Sequence, residues 1–298
     1  MKHDIAEEKE NKFTKRNKKL FPCAMPRSNG MIICKILAKG EVSMKFVTFN
    51  IRCDFGEDGI NCFENRKQMI LEKILNESPE ILCFQEVVPP VAVWLKENLN
   101  DYYVIGFGRS ATLEDEQLTI AYKKDRFNLI RMTTFWLSET PEIAGSRYEG
   151  QSECPRTCNE VIFDDLEEKR IFKVMNVHLD HIGVQAKIMG LNQLLDRQAE
   201  EKFMPDMPVI IAGDFNFQPE SEEMERFKEH SAYKEFLNLT EGIGYTFHGF
   251  GEKGAEEEID YIFVKGEVNV RSVVKWEDNA DKIFLSDHYP VCAEFSFV

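Results

Sequence analysis

The chain lacks any apolar run approaching the about 20 residues that a membrane-spanning helix needs. Its most apolar early stretch, Met31–Ala38, is too short and follows a long charged segment, so it does not read as a secretory signal either. It also lacks a CxxC pair. The eight cysteines (Cys23, Cys34, Cys53, Cys62, Cys83, Cys154, Cys158 and Cys292) are scattered, and several sit inside apolar, strand-like runs. Cys154 and Cys158 have no Cys/His pair near them to complete a metal site. Reduced thiols in a cytoplasmic protein are the expectation. There is no internal repeat, long Pro/Gly linker or low-complexity tract. Basic charge is scarce after the first segment. Residues 1–43 hold ten Lys and Arg against five Asp and Glu, which leaves the other 255 residues with 27 basic against 47 acidic side chains, a net −20. So acidic a body repels polyanions and lacks the basic footprint of a duplex-DNA binder.

What is present is enough for a large core: 298 residues, 43% hydrophobic and 11% aromatic. The opening MKHDIAEEKENKFTKRNKKL has almost no hydrophobic periodicity. Residues 1–43 therefore read as a disordered tail, or as translated upstream sequence, since Lys39-Gly40-Glu41 can be encoded by a purine-rich ribosome-binding tract ahead of Met44. From Met44 the pattern is regular. MKFVTFNI (44–51) and EILCFQE (80–86) read as strands, with a helix over Glu64–Asn76 between them and another opening at Pro89 and Pro90 and running through Leu99. Strands follow at 117–123, 127–137, 157–163 and 170–179. The periodicity then predicts a helix over Gly183–Glu200 with Val184, Ile188, Leu191 and Leu195 on one face, and strands at 207–216, 258–264, 268–276 and 289–298. One domain over residues 44–298 accounts for all of it, and the chain is expected to be a monomer that does not enter membranes.

The informative feature is where polar residues interrupt apolar strands. Asn50 ends the first strand, Glu86 the second, His178 the strand before the long helix, and Asp214 with Asn216 the next. Asp260 lies in a later strand, and Asp287–His288 immediately precedes the last. An Asn or Asp after a strand is ordinarily a turn residue or a helix cap. A whole set of acids, amides and imidazoles at strand ends is a different matter, because strand ends in α/β proteins bring together groups distant in sequence.

The strings TFNIR (48–52), FQE (84–86), NVHLDH (176–181), GDFN (213–216), IDYIFV (259–264) and SDHYPV (286–291) occur in that order up to the C-terminus. In this the chain resembles the endonuclease/exonuclease/phosphatase superfamily with its deoxyribonuclease-I-like fold, and within it bacterial members of the deadenylase-like branch. The resemblance implies an α/β, four-layer α/β/β/α sandwich: two mixed β-sheets face to face with helices outside each.

It also implies roles. Glu86, with Asn50 and Asp287, would hold Mg²⁺ or Mn²⁺ through hard oxygen ligands. Asp214 would orient or deprotonate the attacking water, and Asn216 would donate to the phosphate. His288, its tautomer fixed by Asp260, would face the phosphate, with His178 as a second imidazole donor. Arg156, ahead of a strand in PRTCNEVIF, would grip a phosphate bidentately, and Arg52 is a second candidate for that task. Where relatives carry an Arg in the helix after NVHLDH, this chain has Lys187, which keeps the charge but loses the fork and stays outside the predicted site. The expected activity is metal-dependent hydrolysis of a small phosphoester or short single-stranded RNA. A nonspecific nuclease is the alternative, and an inactive scaffold is disfavoured because every expected acid, amide and imidazole is present.

Overall fold

Alternation along the strands decides which layer each side chain enters. The computed structural model describes residues 42–54 and 56–298. Of the expected N-terminal segment, residues 1–43, only 42 and 43 are among the described residues. The described chain opens with β1 (Met44–Asn50), α1 (Phe63–Glu77), β2 (Ile81–Val87), α2 (Pro89–Asn98), β3 (Tyr102–Ile105) and β4 (Gln117–Lys123). Next come β5 (Phe127–Trp136), β6 (Thr157–Asp165), β7 (Arg170–His178), α3 (Val184–Ala199), β8 (Val209–Asp214) and α4 (Glu222–Glu229). It closes with β9 (Phe236–Asn238), β10 (Asp260–Lys265), β11 (Val268–Lys275), β12 (Asn279–Ala280), β13 (Ile283–Phe284) and β14 (Val291–Phe297).

Two six-stranded sheets result, ordered β11-β14-β1-β2-β4-β3 and β5-β6-β7-β8-β10-β9, while β12 and β13 pair apart. In the first sheet β1 and β2 are parallel, and in the second β7 and β8 are. Every other pairing is antiparallel. A parallel pair needs a long crossover, which α1 supplies in the first sheet and α3 in the second.

Phe46, Ile81, Ile120, Phe163, Val174, Ile210 and Phe295 fill the space between the sheets. Residues of opposite parity, Val47, Phe49, Leu82 and Phe84, pack outward on Ile70 and Ile74 of α1 and Val91 and Leu95 of α2. On the far side Met175, Val177, Ile211 and Phe263 meet Leu191, Leu194 and Leu195 of α3 and Met224 and Phe227 of α4. These are the four layers of an α/β/β/α sandwich. Cutting Phe46 or Phe163, both fully buried, to Ala should cost about 3–5 kcal/mol.

The predicted strands and first three helices are present, with ends shifted by one or two residues. One expectation needs correction: Val184 stands in the first turn of α3 and is 38% exposed, whereas Ala186, Ile188, Leu191, Leu194 and Leu195 form the buried face. β3, α4, β9 and the short β12–β13 pair were not anticipated. Among the described residues no helix is long and apolar enough to cross a membrane, and the six cysteines Cys53, Cys62, Cys83, Cys154, Cys158 and Cys292 are unpaired.

Candidate active site

The first sheet delivers Asn50 and Glu86 from the ends of its parallel pair, where Asn50 lies opposite Gln85. Glu86 has φ +61, and the β2–β4 register slips between Phe84 and Val87, so its carboxylate leaves the strand's alternation. The Asn50 amide donates to Oε1 at 2.9 Å and the Cys53 N–H to Oε2 at 2.9 Å. The Arg52 N–H donates to Asn50 Oδ1 at 3.0 Å, which fixes the amide's orientation: its nitrogen, not its oxygen, faces Glu86 and, at 3.0 Å, Asp214 Oδ2. Arg52 places its guanidinium on Asp58 through two bonds of 3.1 and 3.0 Å and 3.6 Å from Asp287. Beneath them Arg66, fully buried, donates to the carbonyls of Asn61, Ile51 and Leu285 at 2.6, 2.8 and 2.7 Å. It thereby ties the loop after β1 to the one that presents Asp287.

The second sheet delivers His178 and Asp214 from its parallel pair, directly opposite each other. Gly213 precedes Asp214 because a Cβ there would stand 1.9 Å from the Val177 carbonyl oxygen. Asn216, at φ +51, donates its N–H to Asp214 Oδ1 at 2.9 Å and its side-chain amide to the Leu179 carbonyl at 3.0 Å. Lys187 supports this turn, holding the Asn216 carbonyl at 2.9 Å and Glu223 at 2.7 Å. Asp260 starts β10 opposite Asp214 and reaches His288 Nδ1 at 2.8 Å. His288 Nε2 is 3.7 Å from Asp214 Oδ2, and His178 Nε2 is 3.5 Å from the same oxygen.

The electrostatics differ between the two sides. Burial alone would raise the Glu86 carboxyl, but the Cys53 and Asn50 hydrogen bonds and the His288 charge hold it below the usual carboxylate range. Burial and the neighbouring Glu86 raise Asp287. Burial and Asp260 push Asp214 up to about 7. Burial works against the His288 charge, yet Asp260, Asp214 and Asp287 together raise it to about 10. His178 goes the other way, well below its ordinary value, through burial and the charges of Arg156 and Arg109.

Glu86, Asp214, Asn216, His178, Asp287, His288, Arg52 and Arg156 all line one cleft of about 390 Å³. Asn50 and Asp260 lie just beneath, 0% and 2% exposed. Two carboxylates sharing a cleft, with Glu86 raising the proton affinity of Asp287, form a hard anionic donor set whose repulsion a divalent cation would relieve. The donor chemistry therefore fits such an ion. Glu86, His178 and Asp214 also bring ligand atoms within 4.8 Å of one another.

Two further residues of the cleft escaped the sequence reading. Arg109 and Glu116 lie on the loop between β3 and β4, 3.0 Å apart and both buried. Trp136 Nε1 anchors that loop on the Arg109 carbonyl at 2.6 Å. A signal was available: Glu116 directly precedes β4, as Asp260 begins β10. The start of an antiparallel strand lies at the same sheet edge as its neighbour's end.

The sequence model of the endonuclease/exonuclease/phosphatase family matches residues 47–288. Among solved structures, an endonuclease/exonuclease/phosphatase from Bacteroides vulgatus is 28% identical with a TM-score of 0.80, covering 87% of this chain and 100% of that one. A mannosyl-6-phosphatase from Bacteroides thetaiotaomicron is 25% identical with a TM-score of 0.76, over 85% of this chain and 100% of that one. The human nocturnin catalytic domain, at 22% identity and a TM-score of 0.67 over 86% of this chain and 95% of its own, shares the fold.

Proposed function

The chain belongs to the endonuclease/exonuclease/phosphatase family, whose members are phosphoesterase hydrolases, and on that premise we propose that it hydrolyses small phosphate esters, or short single-stranded RNA, with Mg²⁺ or Mn²⁺ held by Glu86 and Asp287. One observation carries this reading: Glu86, held charged, and Asp287 and His288 from the first sheet meet Asp214 of the second, with Asp214 raised to about 7 and His288 to about 10, in a cleft sized for a small ligand.

The ion, when bound, neutralises charge on the transferring phosphoryl group and the leaving oxygen. Asp214, titrating near neutrality, orients the attacking water and accepts its proton. His288, kept cationic by Asp260, donates to phosphate oxygens, helped by Asn216 and by the neutral imidazole of His178. Asn50 presents an amide nitrogen to Glu86, so in this reading it orients the ligand rather than acting as one. Arg52, engaged by Asp58, holds Asp287 in place, and Arg156 is left to grip the phosphate.

The unpaired thiols accord with work in the reducing cytoplasm. The acidic body argues against duplex DNA: plasmid and linear duplex at low salt with either ion should stay intact while a small ester turns over. The direct test is p-nitrophenol release from p-nitrophenyl phosphate and from bis(p-nitrophenyl) phosphate, with Mg²⁺, with Mn²⁺ and with EDTA. Ion-dependent release is expected. No release from either ester with either ion would end the reading.

A further inference from the structure

We propose that Arg156, backed by Arg109 and Glu116, makes this site a phosphomonoesterase, selecting a terminal dianionic phosphate over a diester. The inference rests on the phosphoester reading and deepens it. Arg156 is only 4% exposed, yet its Nε and Nη1 have no hydrogen-bond partner. Its remaining nitrogen, Nη2, meets His181 Nδ1 at 2.9 Å. The nearest carboxylate oxygen, Asp180 Oδ1, is 3.7 Å from Nε, and the Asp180 carboxylate is already engaged by the N–H groups of Ser152, Ile182 and Gly183 and by the Ser152 hydroxyl.

Arg109 differs. Its charge is met by Glu116 at 3.0 Å and Asp115 at 3.2 Å. The wall therefore holds one satisfied guanidinium and one with two donors to spare. Buried, charged N–H groups without partners are costlier than neutral ones, so Arg156 is poised for an anion that enters the cleft.

The shape at that end selects further. Glu86, Arg109, Glu116, Arg156 and His178 of the cleft also line a cavity of about 10 Å³. That is room for about one water-sized group and for no organic substituent. A monoester offers a third nonbridging oxygen to this wall, where a diester would bring an alkoxy group and leave the guanidinium unpaired. Phe247, Glu257 and Ile259 line the main cleft but not that cavity, and their side is left for the alcohol. In the reaction the P–O bond to that alcohol breaks as water oxygen bonds to phosphorus. Alcohol and inorganic phosphate are the products, with no change of oxidation state.

Sites built to hydrogen-bond a group discriminate strongly against analogues lacking it. The wild-type protein should therefore hydrolyse p-nitrophenyl phosphate with a kcat/KM about 100-fold or more above that for bis(p-nitrophenyl) phosphate. Arg156→Met should remove about 100-fold from the monoester and less than about fivefold from the diester, with Arg156→Lys between. Competitive inhibition by inorganic phosphate should weaken in step. A wild-type preference for the diester, which needs no variant to measure, would overturn the inference. So would equal losses on both esters in a folded Arg156→Met protein, or undiminished phosphate inhibition. A wild-type protein that hydrolyses neither ester ends the phosphoester reading itself, a different result from a phosphoesterase that favours diesters.

Discussion

The two sheets share one strand plan. Each is a six-stranded run whose central pair is parallel and whose other pairings are antiparallel, with a helix crossing between the parallel partners. In each, the ends of that pair carry the polar residues: Asn50 and Glu86 in one, His178 and Asp214 in the other. A second acid faces the pair from an antiparallel neighbour, Glu116 before β4 and Asp260 at the start of β10. The chemistry has nevertheless diverged. Glu86 is surrounded by donors that keep it charged, whereas Asp214 shares its space with Asp260 and rises to about 7. The first sheet therefore supplies fixed negative charge, suited to a cation, and the second supplies groups that exchange protons with water and phosphate. Equivalent places in a repeated frame have been given different work by their surroundings: hydrogen-bond donors around Glu86, burial and the charge of Asp260 around Asp214.

Removing the fixed charge tests this division most harshly. Glu86→Gln keeps the shape and loses the anion, so activity should fall about 1000-fold or more while the folded protein melts cooperatively as before. A variant that retains wild-type rates, or a wild-type protein unaffected by EDTA, would erase the distinction between the sheets. On the other side, Asp260→Asn leaves His288 in place with a less stabilised imidazolium. A loss of about 100-fold or more should appear in kcat, with KM little changed. If KM rose and kcat held, His288 would serve binding only, and Asp260 of the second sheet would not be tuning a proton-handling group.

A smaller effect is expected at Arg52, which touches the first sheet's charge from outside. Its guanidinium sits on Asp58 and near Asp287. Arg52→Gln should therefore weaken apparent metal affinity about tenfold, within the usual range for groups that orient a ligand, and leave kcat at saturating Mg²⁺ close to wild type. A raised KM for substrate at saturating Mg²⁺ would instead place Arg52 on the phosphate, as the sequence pattern suggested.

The strand plan was legible because buried strands in a four-layer sandwich are nearly continuous apolar runs, and the polar residues that break them mark their ends. What stayed hidden had a weak apolar signature. α4 reads EEMERFKE and buries Glu223, Met224 and Phe227, too few to rise above its acids. β3 is four residues long. Arg66 looks in sequence like a solvated helix charge, yet it is fully buried and spends its donors on backbone carbonyls of loops far apart in the chain. Of Arg109 and Glu116, the first lies on an irregular loop with no period to read, and only Glu116, directly before β4, carried a sequence signal. Lys187, set aside as a weakened phosphate ligand, turns out to brace the Asn216 turn through the backbone.

The gentlest test asks whether charge elsewhere on the second sheet matters to the site at all. Lys173 is wholly buried on β7, its Nζ 2.7 Å from Glu201 and 3.4 Å from Glu160. It lies five residues before His178, about 16 Å along the strand from the cleft at about 3.3 Å per residue. Lys173→Met strands two carboxylates, but Glu160 keeps Arg131 at 3.2 Å and Arg197 at 3.3 Å, and Glu201 keeps Arg131. The cost should therefore fall short of the about 3–5 kcal/mol of a fully broken buried pair, at about 1–3 kcal/mol, with kcat and KM unchanged. The difference should also depend on pH. Burial disfavours the charged Glu201, yet Lys173, the Phe203 N–H and Arg131 bring its carboxyl down to about 2. A carboxyl depressed on folding stabilises above its unfolded pKa of about 4.3, and that contribution is lost as pH falls toward 2. In that window the unfolded carboxyl takes up a proton while the folded Glu201 stays charged, so the stabilisation that Lys173 adds to Glu201, which the Met variant lacks, is progressively lost. Denaturant melts of both proteins between pH 7 and pH 2 should show the wild-type advantage shrinking across the lower part of that range. A constant gap would mean that Lys173 stabilises through packing of its stem, and a drop in kcat would mean that the cleft feels charge from this distance.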